Sequence, residues 1–151
     1  MKNYIKFKEK GFTLIELLVV IAIIGLLSTL MAVALNLARQ GGRDAKRVAD
    51  MKQVATALAF YFDQNGAYPA GTETLGEVGA ECLDASGFGA LCTNPYMATI
   101  PKDPSNSFWY EYQSTANSHY LLEFVIETGA GSLETSGIYE LRVDGSIYGP
   151  F

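Results

Sequence analysis

One acidic residue stands inside an otherwise apolar stretch near the start of the chain. Glu16 is the only charged side chain within residues 12–27. A charge at membrane depth costs a few kcal/mol, about 2.5–3.5 at a helix centre, so such a residue tends to be kept for a function. The sequence therefore predicts a membrane segment with a functional carboxylate close to its beginning.

The two cysteines of the chain, Cys82 and Cys92, are a second candidate site. They are too few for a disulfide-rich scaffold or a four-ligand zinc site. In an exported domain, a pair across a short loop predicts a disulfide, which would stabilise the fold by about 2.5–3 kcal/mol in the chain-entropy model. Two buried thiols that act as small apolar side chains are the alternative.

Few residues of the chain are suited to catalysis. His119 is the single histidine and has no group of metal ligands to join. The sequence contains neither a phosphate-binding glycine loop nor a nucleophile elbow, and no nucleophile is paired with a base. We therefore expect no enzymatic activity, no metal site and no cofactor.

Charge is distributed unevenly along the 151 residues. The net charge is −5, yet residues 1–11 carry four lysines against one glutamate, so the remainder is strongly acidic. A basic leader before an apolar run predicts an N-terminus in the cytoplasm and an acidic body on the other side of the membrane. An acidic body also argues against nucleic acid as a direct partner, because phosphate binding needs clustered lysine and arginine.

A single helical pattern extends from the apolar run to about residue 65. Residues 12–38 are long enough, at about 1.5 Å per residue, to span a bilayer. Residues 39–65 then form an amphipathic segment, and Gly41-Gly42 near its start predicts a hinge or a helix break. The apolar positions of this segment recur at spacings of three and four and predict a stripe that packs on the protein's own core: Val48, Met51, Ala55, Leu58 and Phe62.

The remaining residues predict a long connection followed by a small antiparallel sheet. Residues 70–107 have the composition of an irregular connection with one short helical turn at most. Alternating patterns predict strands over residues 108–113, 120–127, 138–143 and 146–148. Asp144-Gly145 predicts a tight hairpin between the last two strands, but a two-residue turn would place Ile147 away from Leu141, so the register stays open.

Residues 10–17, with the sequence Lys-Gly-Phe-Thr-Leu-Ile-Glu-Leu, resemble the class III signal of type IV prepilins and type II secretion pseudopilins. The resemblance implies that a prepilin peptidase cleaves between Gly11 and Phe12 and that the new amine of Phe12 is methylated. It also implies that Glu16 assists assembly by pairing with the N-terminus of a neighbouring subunit. Glu16 is the only opposite charge at that depth, and pairing would offset its desolvation.

Two later segments strengthen the resemblance. The run from Leu58 to Pro69 is similar to the end of the long helix in pseudopilins, and residues 100–104, Ile-Pro-Lys-Asp-Pro, resemble the turn before the sheet of the major pseudopilin. In that family calcium binds a later loop rich in acids. Because residues 128–137 offer only Glu134 as an acid, we expect no calcium here.

Two other readings of the N-terminus compete with the prepilin signal. Residues 32–34, Ala-Val-Ala, fit a secretory cleavage site, and release after Ala34 would give a soluble secreted domain. An uncut leader would instead leave a signal-anchored monomeric binding module. Glu16 and the helical pattern beyond residue 34 favour the prepilin reading.

The sequence as a whole predicts a pilin-like α+β fold, in which a long N-terminal helix packs on an antiparallel sheet of about four strands. The expected divisions are a cleaved leader (1–11), a membrane and assembly helix (12–38), its amphipathic outer half (39–65) and a globular domain (66–151). The expected function is a structural subunit of a type IV pilus, a DNA-uptake filament or a type II secretion-like pseudopilus. The resemblance implies further copies of the chain, a prepilin peptidase, an assembly ATPase and membrane platform proteins as partners. The precursor would lie in the cytoplasmic membrane, and the filament would be periplasmic or extracellular.

Overall fold

The computed structural model describes residues 11–116, 118–133 and 135–151. Most of the predicted leader, residues 1–10, and Glu134 lie outside these ranges. The chain divides into two compact units after Leu37, each described here by itself. Within the described residues, the elements are one helix and seven strands: α1 (Leu14–Asn65), β1 (Gly71–Leu75), β2 (Cys82–Asp84), β3 (Gly87–Gly89), β4 (Tyr110–Ala116), β5 (His119–Ile126), β6 (Gly137–Arg142) and β7 (Ile147–Tyr148).

The helix α1 continues through Gly41 and Gly42, so the predicted alternative of a helix break at this point is wrong. Two glycines cost about 1 kcal/mol each in a helix interior relative to alanine. Directly after them, Arg43, Asp44 and Arg47 bond to residues outside the helix. These contacts hold the turn that the glycines weaken. The helix ends at Asn65, as predicted. The next residue, Gly66, has a left-handed φ of 70°, and its N–H donates to the carbonyl of Phe62 at 2.7 Å.

The buried side of α1 differs partly from the predicted apolar stripe. Met51 and Leu58 are fully buried as expected, and Val54 joins them. Phe62 remains 36% exposed, so its predicted place in the core is wrong. Towards the membrane half, the buried side of α1 continues instead through charged residues. They are buried because their hydrogen-bonding partners on other elements lie against this side of the helix.

The sheet confirms the α+β prediction and is larger than expected. Its five strands are antiparallel in the order β1-β4-β5-β6-β7, and β2 and β3 form a separate hairpin. The prediction of an irregular connection over residues 70–107 is wrong, since β1, β2 and β3 lie within it. Their sequences lack a clear alternation, and β1 is an edge strand formed by pairing with β4, which is a tertiary event rather than a local preference.

The core of the sheet follows the predicted alternation of β5. Tyr120, Leu122, Phe124 and Ile126 are all buried on one face. They belong to the same apolar cluster as the buried residues of α1. Burial of large side chains at about 25 cal/mol per Å² is the main stabilising term of such a domain.

The turn between β6 and β7 settles the register that the sequence left open. The N–H of Gly145 donates to the carbonyl of Arg142 at 2.9 Å, and the N–H of Arg142 donates to Ser146 at 3.0 Å. The loop therefore has three residues rather than two, and Gly145 takes a left-handed φ of 79°. With this extra residue, Ile147 lies directly opposite Leu141.

We expect Leu58→Ala to lower the free energy of unfolding by about 2–5 kcal/mol, because it removes a fully buried side chain and leaves a cavity. Phe60→Ala is the matched control on the same helix, since Phe60 is 58% exposed. Urea unfolding of the full chain in detergent micelles, followed by tryptophan fluorescence, measures both. Equal losses for the two variants would contradict this assignment of the core.

Candidate processing and assembly site

The predicted cleavage position lies in an accessible, non-helical segment. Gly11, Phe12 and Thr13 precede the start of α1 and are exposed, with Phe12 at 76%. The bond between residues 11 and 12 is therefore not shielded by helical hydrogen bonds or by packing within the described residues. Residues 32–34, the rival cleavage site, lie inside α1.

Glu16 and Thr13 form a reciprocal cap at the start of α1. The N–H of Thr13 donates to Glu16 Oε2 at 2.8 Å, and the N–H of Glu16 donates to Thr13 Oγ1 at 3.2 Å. The Thr13 hydroxyl also donates to Glu16 Oε2 at 2.6 Å. This is a capping box, which satisfies two N–H groups that a helix start leaves without partners. A threonine followed three residues later by a glutamate, directly before an apolar run, is the sequence pattern of a capping box. This pattern was available in the sequence, where Glu16 was interpreted only as an assembly residue.

Beyond the cap, the apolar part of α1 is exposed along its length. By length and composition, this part of the helix is apolar enough to cross a membrane, and none of its most apolar 18-residue stretch is buried. Two polar side chains in it bond to their own helix: Ser28 Oγ donates to the carbonyl of Ile24 at 2.7 Å, and Thr29 Oγ1 to that of Leu26 at 2.8 Å. The surface is consequently suited to lipid or to other apolar helices.

A buried arginine joins the second half of α1 to the rest of its unit. The side chain of Arg47 is 0% exposed. It donates to Asp44 at 2.7 Å, to Asp103 at 2.6 Å, and forms an ion pair with Glu127 at 2.7 Å. We call these four residues the Arg47 cluster. Removing one member of a buried ion pair typically lowers the free energy of unfolding by roughly 3–5 kcal/mol, because the other charge is left without a partner.

Asp44 extends the cluster to the backbone after β5. Its carboxylate accepts N–H bonds from Glu127 at 2.9 Å, Thr128 at 2.8 Å and Gly129 at 3.1 Å. Burial opposes ionisation of this group, but the three N–H donors and the Thr128 hydroxyl outweigh it and lower the pKa of Asp44. The turn that leaves the sheet is thus held against the helix by one carboxylate.

The other two carboxylates of the cluster are also held ionised. Hydrogen bonds from Arg43 and then from Arg47 lower the pKa of Glu127. Burial opposes the charge of Asp103, yet bonds from Arg47 and Ser105 lower its pKa overall. Every buried side-chain nitrogen and oxygen in the described residues has a hydrogen-bond partner. The cluster is therefore a complete polar network rather than an isolated charge.

Asp50 lies one helical turn further along and behaves differently. Tyr110 donates its hydroxyl proton to Asp50 at 3.0 Å in the buried interior. Burial nonetheless raises the pKa of Asp50, because one neutral donor offsets little of the lost hydration. The same burial, with the neighbouring Asp50 charge, raises the pKa of Tyr110 well above its usual range.

The sulfur atoms of Cys82 and Cys92 are bonded in the structure, with the Cα atoms 6.1 Å apart. The bond ties the first residue of β2 to the loop that follows the β2–β3 hairpin. Next to it, Asp84 accepts the N–H bonds of Ser86 and Thr93, each at 2.9 Å. The pair that the sequence offered as a disulfide therefore closes this connection.

The predicted site residues thus fall in two separate places. Gly11, Phe12 and Glu16 lie at the start of α1, and the cysteines lie beside the hairpin of β2 and β3. The sequence did not predict the Arg47 cluster, although Asp103 lies in the segment 100–104 that resembles the turn before the sheet of the major pseudopilin. Charged residues at 44, 47 and 50 share helical spacing with the apolar stripe, which was the available signal.

No group of three or more histidine, cysteine, aspartate or glutamate side chains in the described part of the chain is placed to hold a metal ion. Glu134, the only acid among residues 128–137, lies outside that part. The absence of calcium binding stays a prediction.

A capped, exposed apolar helix that continues into a domain built on a five-stranded antiparallel sheet defines a pilin-like filament subunit. Comparison with known families narrows this class. A model described as the prokaryotic N-terminal methylation motif matches residues 6–32, and one described as protein G of the type II secretion system matches residues 36–134. The chain belongs to the type II secretion protein G family, whose members are structural pseudopilins.

Curated relatives agree with the family assignment. The type II secretion system core protein G of Escherichia coli strain K12 is 32% identical over 101 residues, which cover 64% of this chain and 67% of the relative. The core protein G of Aeromonas hydrophila is 29% identical over 99 residues, which cover 66% and 69%. No solved structure matches the chain. The resemblance found in the sequence is thereby confirmed.

We expect Asp103→Asn to lower the free energy of unfolding at pH 7 by about 3 kcal/mol, because Arg47 loses a charged partner in the interior. The fold lowers the pKa values of the three cluster carboxylates below those of the unfolded chain, which are about 3.9 to 4.3. Their contribution to the free energy of unfolding is therefore fully present above these unfolded-state values and is lost as pH falls through the folded-state values. Urea unfolding at pH 7 and pH 3 should show the two proteins converging at the acidic pH.

Asp63→Asn, at an exposed position of the same helix, is the control and should leave stability unchanged at both pH values. A loss of stability in Asp103→Asn that is independent of pH would contradict an electrostatic role for the cluster.

Proposed function

We propose that the chain is made as a membrane precursor, is cut between Gly11 and Phe12, is methylated on Phe12 and polymerises through α1 into a type II secretion-like pseudopilus. The observation that carries this proposal is an exposed apolar helix that starts directly after the cleavage motif. Glu16, in the first turn, is the only acid in the apolar part of this helix, residues 14–38. A soluble domain has no use for such a surface.

The non-helical placement of residues 11–13 supports cleavage at this position, since a protease must bind its substrate in a locally open conformation. Release after Ala34 is disfavoured for the same reason, because Ala34 lies inside α1. Cutting at Gly11 also leaves the Thr13–Glu16 cap intact, so the mature helix keeps its first turn.

We assign Glu16 two successive roles. In the single subunit, its carboxylate is satisfied by the two Thr13 donors. In the filament, the methylated α-amine of Phe12 from a neighbouring copy is largely cationic at neutral pH and adds a charge-assisted bond to the same carboxylate. A carboxylate has room for both, because its two oxygens accept about four hydrogen bonds.

The apolar part of α1 supplies the remaining assembly energy. In the membrane it contacts lipid, and in the filament the same surface contacts the helices of other copies. Contact between different surfaces of identical subunits gives an open helical array rather than a closed ring when the rotation does not close.

Other proteins carry out leader removal and extraction of the subunit from the membrane. A prepilin peptidase removes the leader, and an assembly ATPase with membrane platform proteins extracts the subunit, since this chain carries no nucleotide-binding motif. The four lysines of the leader favour a cytoplasmic N-terminus, with the acidic domain in the periplasm. We assign the chain itself no catalytic role. An anchored binding module that never polymerises is the second candidate, and it requires an uncut leader.

Two substitutions separate the roles of Glu16. Glu16→Gln keeps an acceptor for the cap but removes the charge, whereas Thr13→Val removes the side-chain half of the cap and keeps the charge. We expect Glu16→Gln to be processed and inserted but to assemble at least about tenfold less filament, and Thr13→Val to assemble. Electron microscopy and a sedimentation assay of sheared filaments measure the yield. Normal filaments from Glu16→Gln would remove the charge from the mechanism.

N-terminal sequencing and intact mass of the exported protein test the processing step. We expect a first residue of Phe12 that carries one added methyl group, and a full-length chain from Gly11→Val, because a branched side chain replaces the glycine next to the cut bond. Gly25→Val, inside α1 with no side chain near its Cβ position, is the control and should be processed. A mature protein that starts at Leu35 would overturn the proposal, and an uncut leader would favour the anchored module.

A further inference from the structure

The outer face of the five-stranded sheet carries an exposed apolar row. Its side chains alternate with those buried in the core. Val125 on β5 lies directly opposite Ile138 on β6, and Trp109 immediately precedes β4 on the same side. Trp109 is 63% exposed and Ile138 is 40% exposed. Large apolar side chains grouped in this way on a surface are a common feature of contact sites.

A row of three glutamates runs beside the apolar row. Glu111, Glu123 and Glu140 lie directly opposite one another on β4, β5 and β6. Like charges in opposite positions destabilise a sheet, so such a row calls for compensating cations or donors. The two outer glutamates have them: Gln113 donates to Glu111 at 2.6 Å, and Arg142 donates to Glu140 at 3.0 Å.

Glu123, in the middle of the row, lacks a comparable partner. Among the described residues, none donates a hydrogen bond to its carboxylate or forms an ion pair with it. Burial, and then the charges of Glu111 and Glu140, raise the pKa of Glu123. A hollow of about 100 Å³ opens beside it, lined by Phe108, Trp109, Glu111, Val125 and Ile138. A cation placed in this hollow would relieve the repulsion along the row.

The chain itself shows how an arginine occupies this face. At the other end of the glutamate row, Arg142 bonds to Glu140 and lies over the ring of Tyr148, 4.4 Å from its centroid. Glu140 and Tyr148 are directly opposite each other. Glu123 and Trp109 line the same hollow, so a carboxylate and an aromatic ring are near each other there too, but no arginine of the described chain lines it.

We propose that the hollow between Trp109 and Glu123 binds an arginine side chain of a partner protein. The guanidinium group stacks on the indole ring and donates its planar pair of N–H groups to Glu123, while its aliphatic stem covers Val125 and Ile138. Arginine suits the site better than lysine because it is flat, forms paired hydrogen bonds and is less strongly hydrated.

The charges favour an arginine from a different protein over one from a second copy of this chain. Of the four arginines in the chain, Arg43, Arg47 and Arg142 are already in ion pairs within their own subunit, so a second copy could offer only Arg39. The row of three glutamates further disfavours close approach of two such faces. A partner with an exposed arginine beside apolar residues complements the charge of Glu123 and the apolar lining of the hollow.

The single tryptophan of the chain makes the site directly observable. In the full chain in detergent micelles, titration with N-acetyl-argininamide should give a saturable change in Trp109 fluorescence. Glu123→Gln should weaken this binding by about fivefold, because the guanidinium loses its charged acceptor. Glu81→Gln, which removes one charge from an exposed position outside the hollow, should leave the binding unchanged.

Two other ligands, a measurement of amide shifts and an assembly assay give the outcomes that would contradict the proposal. An equal response to the uncharged N-acetyl-citrullinamide, or to N-acetyl-lysinamide, would overturn the specificity for arginine. Amide shifts of the unmodified protein that avoid residues 109, 123–125 and 138 would overturn the location without requiring any variant. Loss of self-association in Glu123→Gln, measured by sedimentation, would overturn the choice of occupant in favour of a second copy.

Discussion

Burial of Arg47 is the constraint on which the domain depends. A guanidinium group without contact to water is tolerated only with several ionised partners, and here Asp44, Asp103 and Glu127 supply them from three parts of the chain. The helix, the Pro-Lys-Asp-Pro turn and the end of β5 must therefore meet at one point. The position of the helix on the sheet is set by this point as well as by apolar packing, and apolar contacts alone would tolerate small shifts along the helix.

The two charged centres of the molecule follow different physical rules. The Arg47 cluster is satisfied within the subunit, because each of its buried side-chain nitrogens and oxygens has a hydrogen-bond partner there. Glu16 is capped by Thr13 but remains exposed, so its carboxylate can accept a further donor. The proposed function uses both kinds of centre, one that holds the folded domain in register and one that another molecule completes.

The outer sheet face belongs to the second kind. Its glutamate row is compensated at both ends within the chain and uncompensated at Glu123. Local repulsion of this type is a stability cost that a bound cation removes, so binding and stability are coupled at this site. The inner face, in contrast, is filled by aromatic and aliphatic side chains in contact with the helix.

The sequence alone determined the long helix, the prepilin-type motif at Gly11–Glu16, the alternation of β5 and the cysteine pair, because each depends on local spacing or on an unusual charge in an apolar run. Only the tertiary structure decided the strand β1, the course of residues 70–107, the exposure of Phe62 and the three-residue turn at Gly145. Edge pairing and helix rotation arise from contacts between distant residues. The Arg47 cluster is of the same kind, since its members are up to about eighty residues apart and each resembles a solvated surface charge until the fold brings them together.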